Sequence, residues 1–378
     1  MEKGYKILGN YIRLVDERNR NLAITKLLGV SINKKFIPSI ANIVGTDLSN
    51  YKIVRTGQFA YGPVTSRNGE KISIAYLDEE DCIISSSYTV FEVENKEELD
   101  PEYLMLWFSR PEFDRYARYK SHGSVREIFD WNELCMVELP VPDIEKQRKI
   151  VKAYKTLTDR IALKQQINDN LQQQAKALYQ QMFIDNPVPG GCIGTLSDIA
   201  DITMGQSPNG SSYNEDGNGT VFFQGRAEFG FRFPSVRLYT TEPKRMACAN
   251  DTLMSVRAPV GDLNAAYTDC CIGRGLAAIH SKSNQQSFIL YTMFSLRKQL
   301  DMFNGEGTVF GSINRTSLNE LPIFIPSDRE IVKFETIVAP IDAAIRKNYE
   351  EICCLERIRD TLLPKLMSGE LDVSAVEL

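Results

Sequence analysis

Residues 138–183 read ELPVPDIEKQRKIVKAYKTLTDRIALKQQINDNLQQQAKALYQQMF, and the reading of this stretch decides the architecture. Apolar residues recur in alternating four- and three-residue steps at Ile150, Tyr154, Leu157, Ile161, Leu171, Ala175, Leu178 and Met182, the spacing of a narrow coiled-coil seam. Lys164 and Asn168 interrupt it. The helix is expected to start after Pro140 and Pro142 with Asp143 as its N-cap, and to stop before the turn-forming run Asn186-Pro187-Val188-Pro189-Gly190-Gly191. Roughly 40 residues at about 1.5 Å each make a rod about 60 Å long, more than one globular domain needs. The plain alternative is a surface helix packed on a single domain.

A second copy follows. Glu320-Leu321-Pro322 repeats Glu138-Leu139-Pro140 at an offset of 182, and another seam runs through Phe334, Val338, Ile341, Ile345, Ile352, Leu355, Leu362 and Leu366. Its polar interruptions are Asn348 and Arg359. Polar residues in such a seam either fix the register of two paired helices or face solvent, and the sequence leaves both open. Pro340 is expected to kink or divide this helix, because it removes a hydrogen bond and crowds the preceding turn. Weaker matches support a duplication: Phe294-Ser295 follows Phe108-Ser109 by 186, and Gly307-Thr308-Val309 resembles Gly123-Ser124-Val125 at 184.

At 378 residues the chain exceeds the size of a single core, so two domains plus connections are expected. No apolar run reaches the length of a membrane span and the charged first twenty residues do not resemble a signal peptide, which points to the cytoplasm. Eight cysteines (Cys82, Cys135, Cys192, Cys248, Cys270, Cys271, Cys353 and Cys354) contain no C-x-x-C pair, and only His122 and His280 could supplement them. They read as small buried hydrophobes in a reducing compartment, with no metal site expected. A net charge of −5 argues against indiscriminate polyanion binding. A local groove is still compatible with it: residues 187–326 carry eight arginines against three lysines, and arginine suits forked contacts with guanine edges and phosphates.

Both halves read as α/β (α+β) with short elements. In the first, Tyr5–Val15 and Asn21–Val30 precede Phe36-Ile37-Pro38 and a helix start near Ser39. Strands are expected at Tyr51–Thr56, Ile72–Tyr76 and Tyr88–Val93, and a helix at Pro101–Phe113 with Asp100 as cap. Two polar loops, Tyr61–Gly69 and Lys120–Arg126, carry basic groups. In the second half, strands are expected at Asp251–Val256 and Gly275–His280 and a helix at Gln285–Leu300. The glycine-, aromatic- and arginine-rich stretch from Met204 to Pro234 could present forked donors, unless its arginines pair with Glu228, Glu242, Asp251 and Asp262.

Catalytic signatures are missing. There is no phosphate-binding G-x-x-x-x-G-K-[ST], no H-E-x-x-H and no G-x-S-x-G; Gly217-Asn218-Gly219 fails the dinucleotide pattern. Asp185-Asn186-Pro187-Val188 departs from the methyltransferase Asn/Asp-Pro-Pro-aromatic loop at its last two positions, and Asp143, Glu145 and Lys146 read as helix-start charges rather than a nuclease centre.

The helix after ELPVPDIEKQRKI, the strings YKIVRTGQFAYGP at 51–63, SVRAPVGD at 255–262 and IGRGLAAI at 272–279, and the ending RDTLLPKLMSGEL at 359–371 together resemble the specificity (S) subunit of type I restriction-modification systems along the whole chain. One departure is that the second helix opens Asp328-Arg329-Glu330-Ile331 instead of with the usual glutamate-glutamine pair, which leaves its start open. The resemblance implies two target-recognition domains in pseudo-two-fold repeat (1–140 and 187–326), separated by two long antiparallel coiled-coil helices (141–186, and 327–378 with the tail), each domain reading one half of a split DNA site. It also implies docking to two modification (M) subunits and to restriction (R) subunits, with S-adenosylmethionine, ATP and Mg on those partners and no cofactor or catalysis in this chain. DNA contacts are expected from Lys34, Lys35, Arg67, Lys71, Lys120, Ser124 and Arg126 in the first domain, and from Gln206, Asn209, Gln224, Arg226, Arg232, Lys244, Arg245, Arg257 and Arg274 in the second. The rival reading is a coiled-coil scaffold without a DNA role.

Overall fold

The first seam forms one helix, Ile144–Tyr179, in the computed structural model of the protein, which describes residues 4–39, 45–66, 68–123, 127–187, 189–305, 311–368 and 370. Asp143 caps it, its Oδ1 accepting from the Lys146 amide at 2.9 Å, and a π-helical segment, Gln180–Asp185, ends it before the proline-glycine turn. The second seam forms the helix Asp328–Ser368, which settles its start and runs through Pro340 without the division that was one of the two outcomes expected there. Thr336, whose carbonyl loses its partner to the proline, and Pro340 itself both lie on the exposed face, where water can satisfy that carbonyl. Phe334, Val338 and Ile345 on the opposite face are fully buried and hold the helix together across the missing bond.

The chain divides into two compact units, one comprising the described residues of 1–163 and 352–378, the other residues 164–351. Each unit therefore contains a section of both long helices, and the two helices pack against each other within each. In the first unit Leu157 and Ile161 meet Ile352 and Leu355, while Ile150, Val151 and Tyr154 share a core with Leu362, Leu363, Leu366 and Met367. In the second unit Ala175, Tyr179 and Phe183 pack with Ile331, Phe334, Val338 and Ile341. Of the polar interruptions, Lys164, Asn168 and Asn348 meet across the seam, whereas Arg359 pairs with Asp360 on its own helix at 2.7 Å. Asn348 Nδ2 donates to Asn168 Oδ1 at 2.9 Å and its own Oδ1 accepts from Lys164 at 3.0 Å; Lys164 also pairs with Glu351 at 2.7 Å. Asn168 is only 2% exposed, so the register-fixing reading holds there and the solvent-facing one does not.

The same antiparallel sheet occurs in both units. In the first, strands Ile12–Val15, Thr89–Val93, Phe59–Tyr61 and Ile74–Tyr76 lie side by side in that order. In the second the order is Ala200–Met204, Leu276–Ser281, Thr252–Ser255 and Leu263–Ala265. In chain order both read first, fourth, second, third. A further antiparallel pair also repeats, Lys52–Val54 with Cys82–Ile84 and Met246–Ala247 with Cys270–Ile272. Each unit closes its ends on each other: Tyr5–Ile7 pairs with Glu138–Pro140, and Cys192–Thr195 with Pro322–Ile325. Just before these closing strands, short helices Trp131–Cys135 and Arg315–Asn319 are capped by Asp130 and Asn314, so the repeated Glu-Leu-Pro sits in equivalent local structure with Leu139 and Leu321 buried.

The units differ between the first strand and that further pair. The first unit has a hairpin, Leu28–Val30 with Phe36–Pro38; the second has Tyr213–Asn214, Leu238–Thr240 and Thr220–Phe223, the last pairing in parallel with Cys270–Ile272. The expected helix start near Ser39 leads into 40–44, and the Gly-Ser-Val and Gly-Thr-Val match falls largely on 124–126 and 306–310; both lie outside the described residues. The single helix expected at Pro101–Phe113 is two, Pro101–Phe108 and Pro111–Lys120, because Pro111 cannot donate an amide hydrogen and begins a new helix; Asp100 caps the first as expected. Likewise the expected Gln285–Leu300 helix breaks at Leu296 into Gln286–Ser295 and Arg297–Asp301. Cys82, Cys270 and Cys271 are buried, but Cys192, Cys248 and Cys354 are exposed, a correction for those three. No helix among the described residues is long and apolar enough to cross a membrane.

Each long helix anchors the domain helix of its unit with one side chain. Gln147, fully buried, accepts from the Asp100 amide at 2.9 Å and donates to the carbonyls of Glu98 and Pro142 at 2.9 and 2.8 Å. In the second unit the corresponding first-turn position is the buried Ile331, and Glu335 one turn later accepts from the amides of Ser287 and Phe288 at 3.2 and 2.9 Å, at the start of Gln286–Ser295. Burial raises the Glu335 pKa against the lowering effect of those amides. Gln147→Ala leaves three part-buried backbone groups without this partner, so about 1–3 kcal/mol of stability should be lost in urea unfolding; a loss within experimental error would show that water replaces the side chain.

Candidate nucleic-acid interface

Three chain segments of the second unit approach so closely that glycine is required at their contacts. A Cβ on Gly205 would lie 2.1 Å from the Gly273 carbonyl oxygen, and one on Gly273 or Gly275 would lie 2.9 Å from backbone atoms of Gln224. Backbone hydrogen bonds fasten the segments: the Gln206 amide donates to Ile272, that of Gly273 to Phe223, and that of Ile272 to Arg245, at 2.9, 2.8 and 2.9 Å. The Ser207 hydroxyl accepts from the Arg274 amide at 3.3 Å. Gln206, Gln224, Arg245 and Arg274, scattered over the sequence, are thereby gathered with their side chains exposed.

Arg274 also lines a cleft of about 560 Å³ with Arg257, Met204, Val256, Ala258, Gly311, Ser312 and Ile313. Arg257 is placed by a backbone bridge to Ser312, and Ala258 donates to the Gly311 carbonyl at 3.0 Å. Neither arginine has an ion-pair partner among the described residues, and Lys244, Arg245, Lys35 and Lys71, all exposed, share that property. Such groups keep their charge available for an anion. Asn209 is exposed beside the turn Gly210–Ser212, with no hydrogen bond tying it to the cleft among the described residues.

Other candidates are engaged within their own unit. Arg226 pairs with Asp262 at 3.0 Å, as the alternative reading of the arginine-rich stretch allowed. Arg232 is 3% exposed and pairs with Asp342, with Tyr291 Oη 3.0 Å from its guanidinium. Lys34 is inside the first unit, bonded to the Phe108 carbonyl and paired with Asp114 at 2.7 Å; burial lowers its pKa, and Asp114 opposes that shift. These positions correct the expectation for Lys34 and Arg232: a buried cation spends its donors on the carboxylate that makes its burial tolerable, and both are structural here. Lys120 is held by Glu133 at 3.3 Å, which raises its pKa. Arg67, Ser124 and Arg126 lie outside the described residues.

The sequence reading overlooked the glycines that build the face. The one local signal was the Gly-Arg-Gly of 273–275, which places an arginine between two residues free to approach other backbone. Chemically, the face offers forked donors and amide groups without a nucleophile held by a base, an arrangement suited to recognition.

Residues 25–173 match the family described as the type I restriction modification DNA specificity domain. Over 374 residues the chain is 26% identical to a putative type I restriction enzyme MjaX specificity subunit of Methanocaldococcus jannaschii, covering 93% of this chain and 87% of that one. It is 22% identical over 428 residues to the type I restriction enzyme HindI specificity subunit of Haemophilus influenzae, covering 91% and 93% of the two chains. A solved type I restriction-modification S subunit from M. genitalium, 15% identical, shares the fold with a TM-score of 0.61 over 96% of this chain and 95% of that one. The similarity to these curated relatives extends over most of the chain, which thus resembles type I restriction enzyme specificity subunits and carries the match to their DNA specificity domain at residues 25–173.

Proposed function

We propose that this chain is the non-catalytic reading subunit of a type I restriction-modification complex, each unit reading one half of a split DNA site. The observation that carries this is the repeat itself: two sheets with one strand order, each closed by a paired strand that leads directly into a long helix. A duplicated reader connected by paired helices suits a bipartite site whose half-site spacing is set by the protein, as in dimeric DNA readers. The helices would also carry two M subunits, which supply S-adenosylmethionine and methylate adenine, with R subunits supplying ATP- and Mg-dependent cleavage. Base-edge contacts would then specify sequence and phosphate contacts would set register.

The test is binding of the chain, with and without M subunits, to a library of split duplexes across a salt series. Selection of two defined half-sites at one spacing is expected. If Lys35, Lys71, Lys244, Arg245, Arg257 and Arg274 all touch phosphates, the log–log salt slope reaches about −5. A chain that binds M subunits but selects no DNA sequence, alone or in the complex, would be a scaffold.

A further inference from the structure

The turn joining Met246–Ala247 to Thr252–Ser255 brings together three metal-binding side chains that the DNA-reading face does not use. The thiol sulfur of Cys248, a carboxylate oxygen of Asp251 and a ring nitrogen of His280 all lie within 4.8 Å of one another. The backbone builds this arrangement. Asp251 Oδ2 accepts from the Cys248 amide at 2.8 Å, the Asp251 amide donates back to the Cys248 carbonyl at 3.1 Å, and Asn250 between them takes a left-handed φ of 72°. His280, on the strand Leu276–Ser281, reaches across with Nδ1 2.6 Å from Asp251 Oδ1.

Access and charge both favour a cation. The Asp251 side chain is 5% exposed and held in place, whereas that of His280 is 45% exposed and Cys248 also faces solvent. Asp269, accepting from the Ala249 amide at 2.8 Å, adds a second carboxylate beside the turn. Asp251 and Asp269 thus place two carboxylates around the turn that carries the Cys248 thiol, a negative field that a divalent ion would relieve. Asn250 also ties the turn to the second long helix, its Oδ1 accepting from Arg346 at 2.9 Å. The turn is thus anchored on one side and open on the other.

We infer that Cys248, Asp251 and His280 bind one borderline-soft divalent cation of the zinc type, with a fourth position left to solvent. The sulfur, nitrogen and oxygen donor set selects zinc or cobalt over magnesium or calcium, which take oxygen ligands. Metal–ligand distances of about 2.0–2.3 Å require the outer donors to close by roughly 1 Å, a movement within the rotamer freedom of two exposed side chains. On binding, Cys248 releases its thiol proton to solvent. If Nδ1 is the ligating nitrogen, the proton it shares with Asp251 leaves it, the bound ring carries its proton on Nε2, and the His280–Asp251 hydrogen bond gives way to two metal bonds. Arg245 lies three residues before Cys248, so a metal here would also stiffen the segment that carries a candidate DNA contact.

The test uses the full chain, stripped with chelator and titrated with zinc and with cobalt. Expected are one bound ion per chain, a thiolate-to-cobalt charge-transfer band, and a raised melting temperature in zinc. Cys248→Ser should abolish the band and His280→Gln should weaken binding at least tenfold, while Cys354→Ser, at another exposed cysteine, should change neither. Metal-free melting of each variant checks that the fold is intact. Wild-type binding by Cys248→Ser, or loss of the band in Cys354→Ser, would overturn the assignment.

Discussion

Arg232→Ala should destabilise the second unit by about 3 kcal/mol while leaving the DNA sequence read by the complex unchanged. The guanidinium is enclosed by Asp342 and Tyr291 Oη, and it lies 5.5 Å from the centroid of the Tyr291 ring. Removing it leaves the Asp342 carboxylate facing Tyr291, whose hydroxyl donates to it at 2.9 Å, with no cation. Asp342 retains 21% exposure and Arg232 Nη1 has no hydrogen-bond partner among the described residues, which places the cost toward the lower end for a broken buried pair. Arg232→Met combined with Asp342→Leu should recover much of the loss, because an apolar pair of similar volume avoids both desolvation penalties. Chemical unfolding of the wild type and the two variants measures this. A normal midpoint for Arg232→Ala with altered base selectivity would instead put this arginine on the DNA.

Joint replacement of Arg257 and Arg274 by alanine should weaken DNA binding by roughly 1–3 kcal/mol per arginine if each makes a forked base contact. Each 1.4 kcal/mol is about tenfold in affinity. Both side chains are exposed and unpaired among the described residues, so the unfolding midpoint should move little. They line one cleft, and their effects need not add. The pattern of loss assigns the role. Weakening confined to particular bases of one half-site marks base reading; equal weakening on every duplex, with the salt slope reduced by about 1 for each arginine, marks phosphate contact. Unchanged affinity would remove the cleft from the interface.

The difference between these two arginine sets shows where sequence reading stops. In the sequence Arg226, Arg232, Arg257 and Arg274 are all candidate contacts, the last two the weaker ones because they lie in the family-typical strings SVRAPVGD and IGRGLAAI. Burial and pairing separated them, and the partner of Arg232 lies 110 residues away in the second long helix. Similarly, nothing local marked Lys34 as internal, because Asp114 is 80 residues further along the chain. Cys248 and His280 looked like isolated side chains for the same reason, and only strand pairing brought them together.

The sequence by itself determined the two long helices with their apolar seams, the Asp143 cap of the first and the duplicated plan, because helix periodicity, capping and repetition are written in residues close along the chain. Proline positions alone do not settle helix breaks: a new helix begins at Pro111 whereas the helix through Pro340 is undivided, since the packing of the opposite face decides whether a helix survives a lost bond. The tertiary structure alone decided which cations lie inside and which remain at the surface without an ion-pair partner among the described residues. That distinction depends on the desolvation of a charge and the position of its counter-charge, and both are set by segments that become neighbours only when the chain has folded.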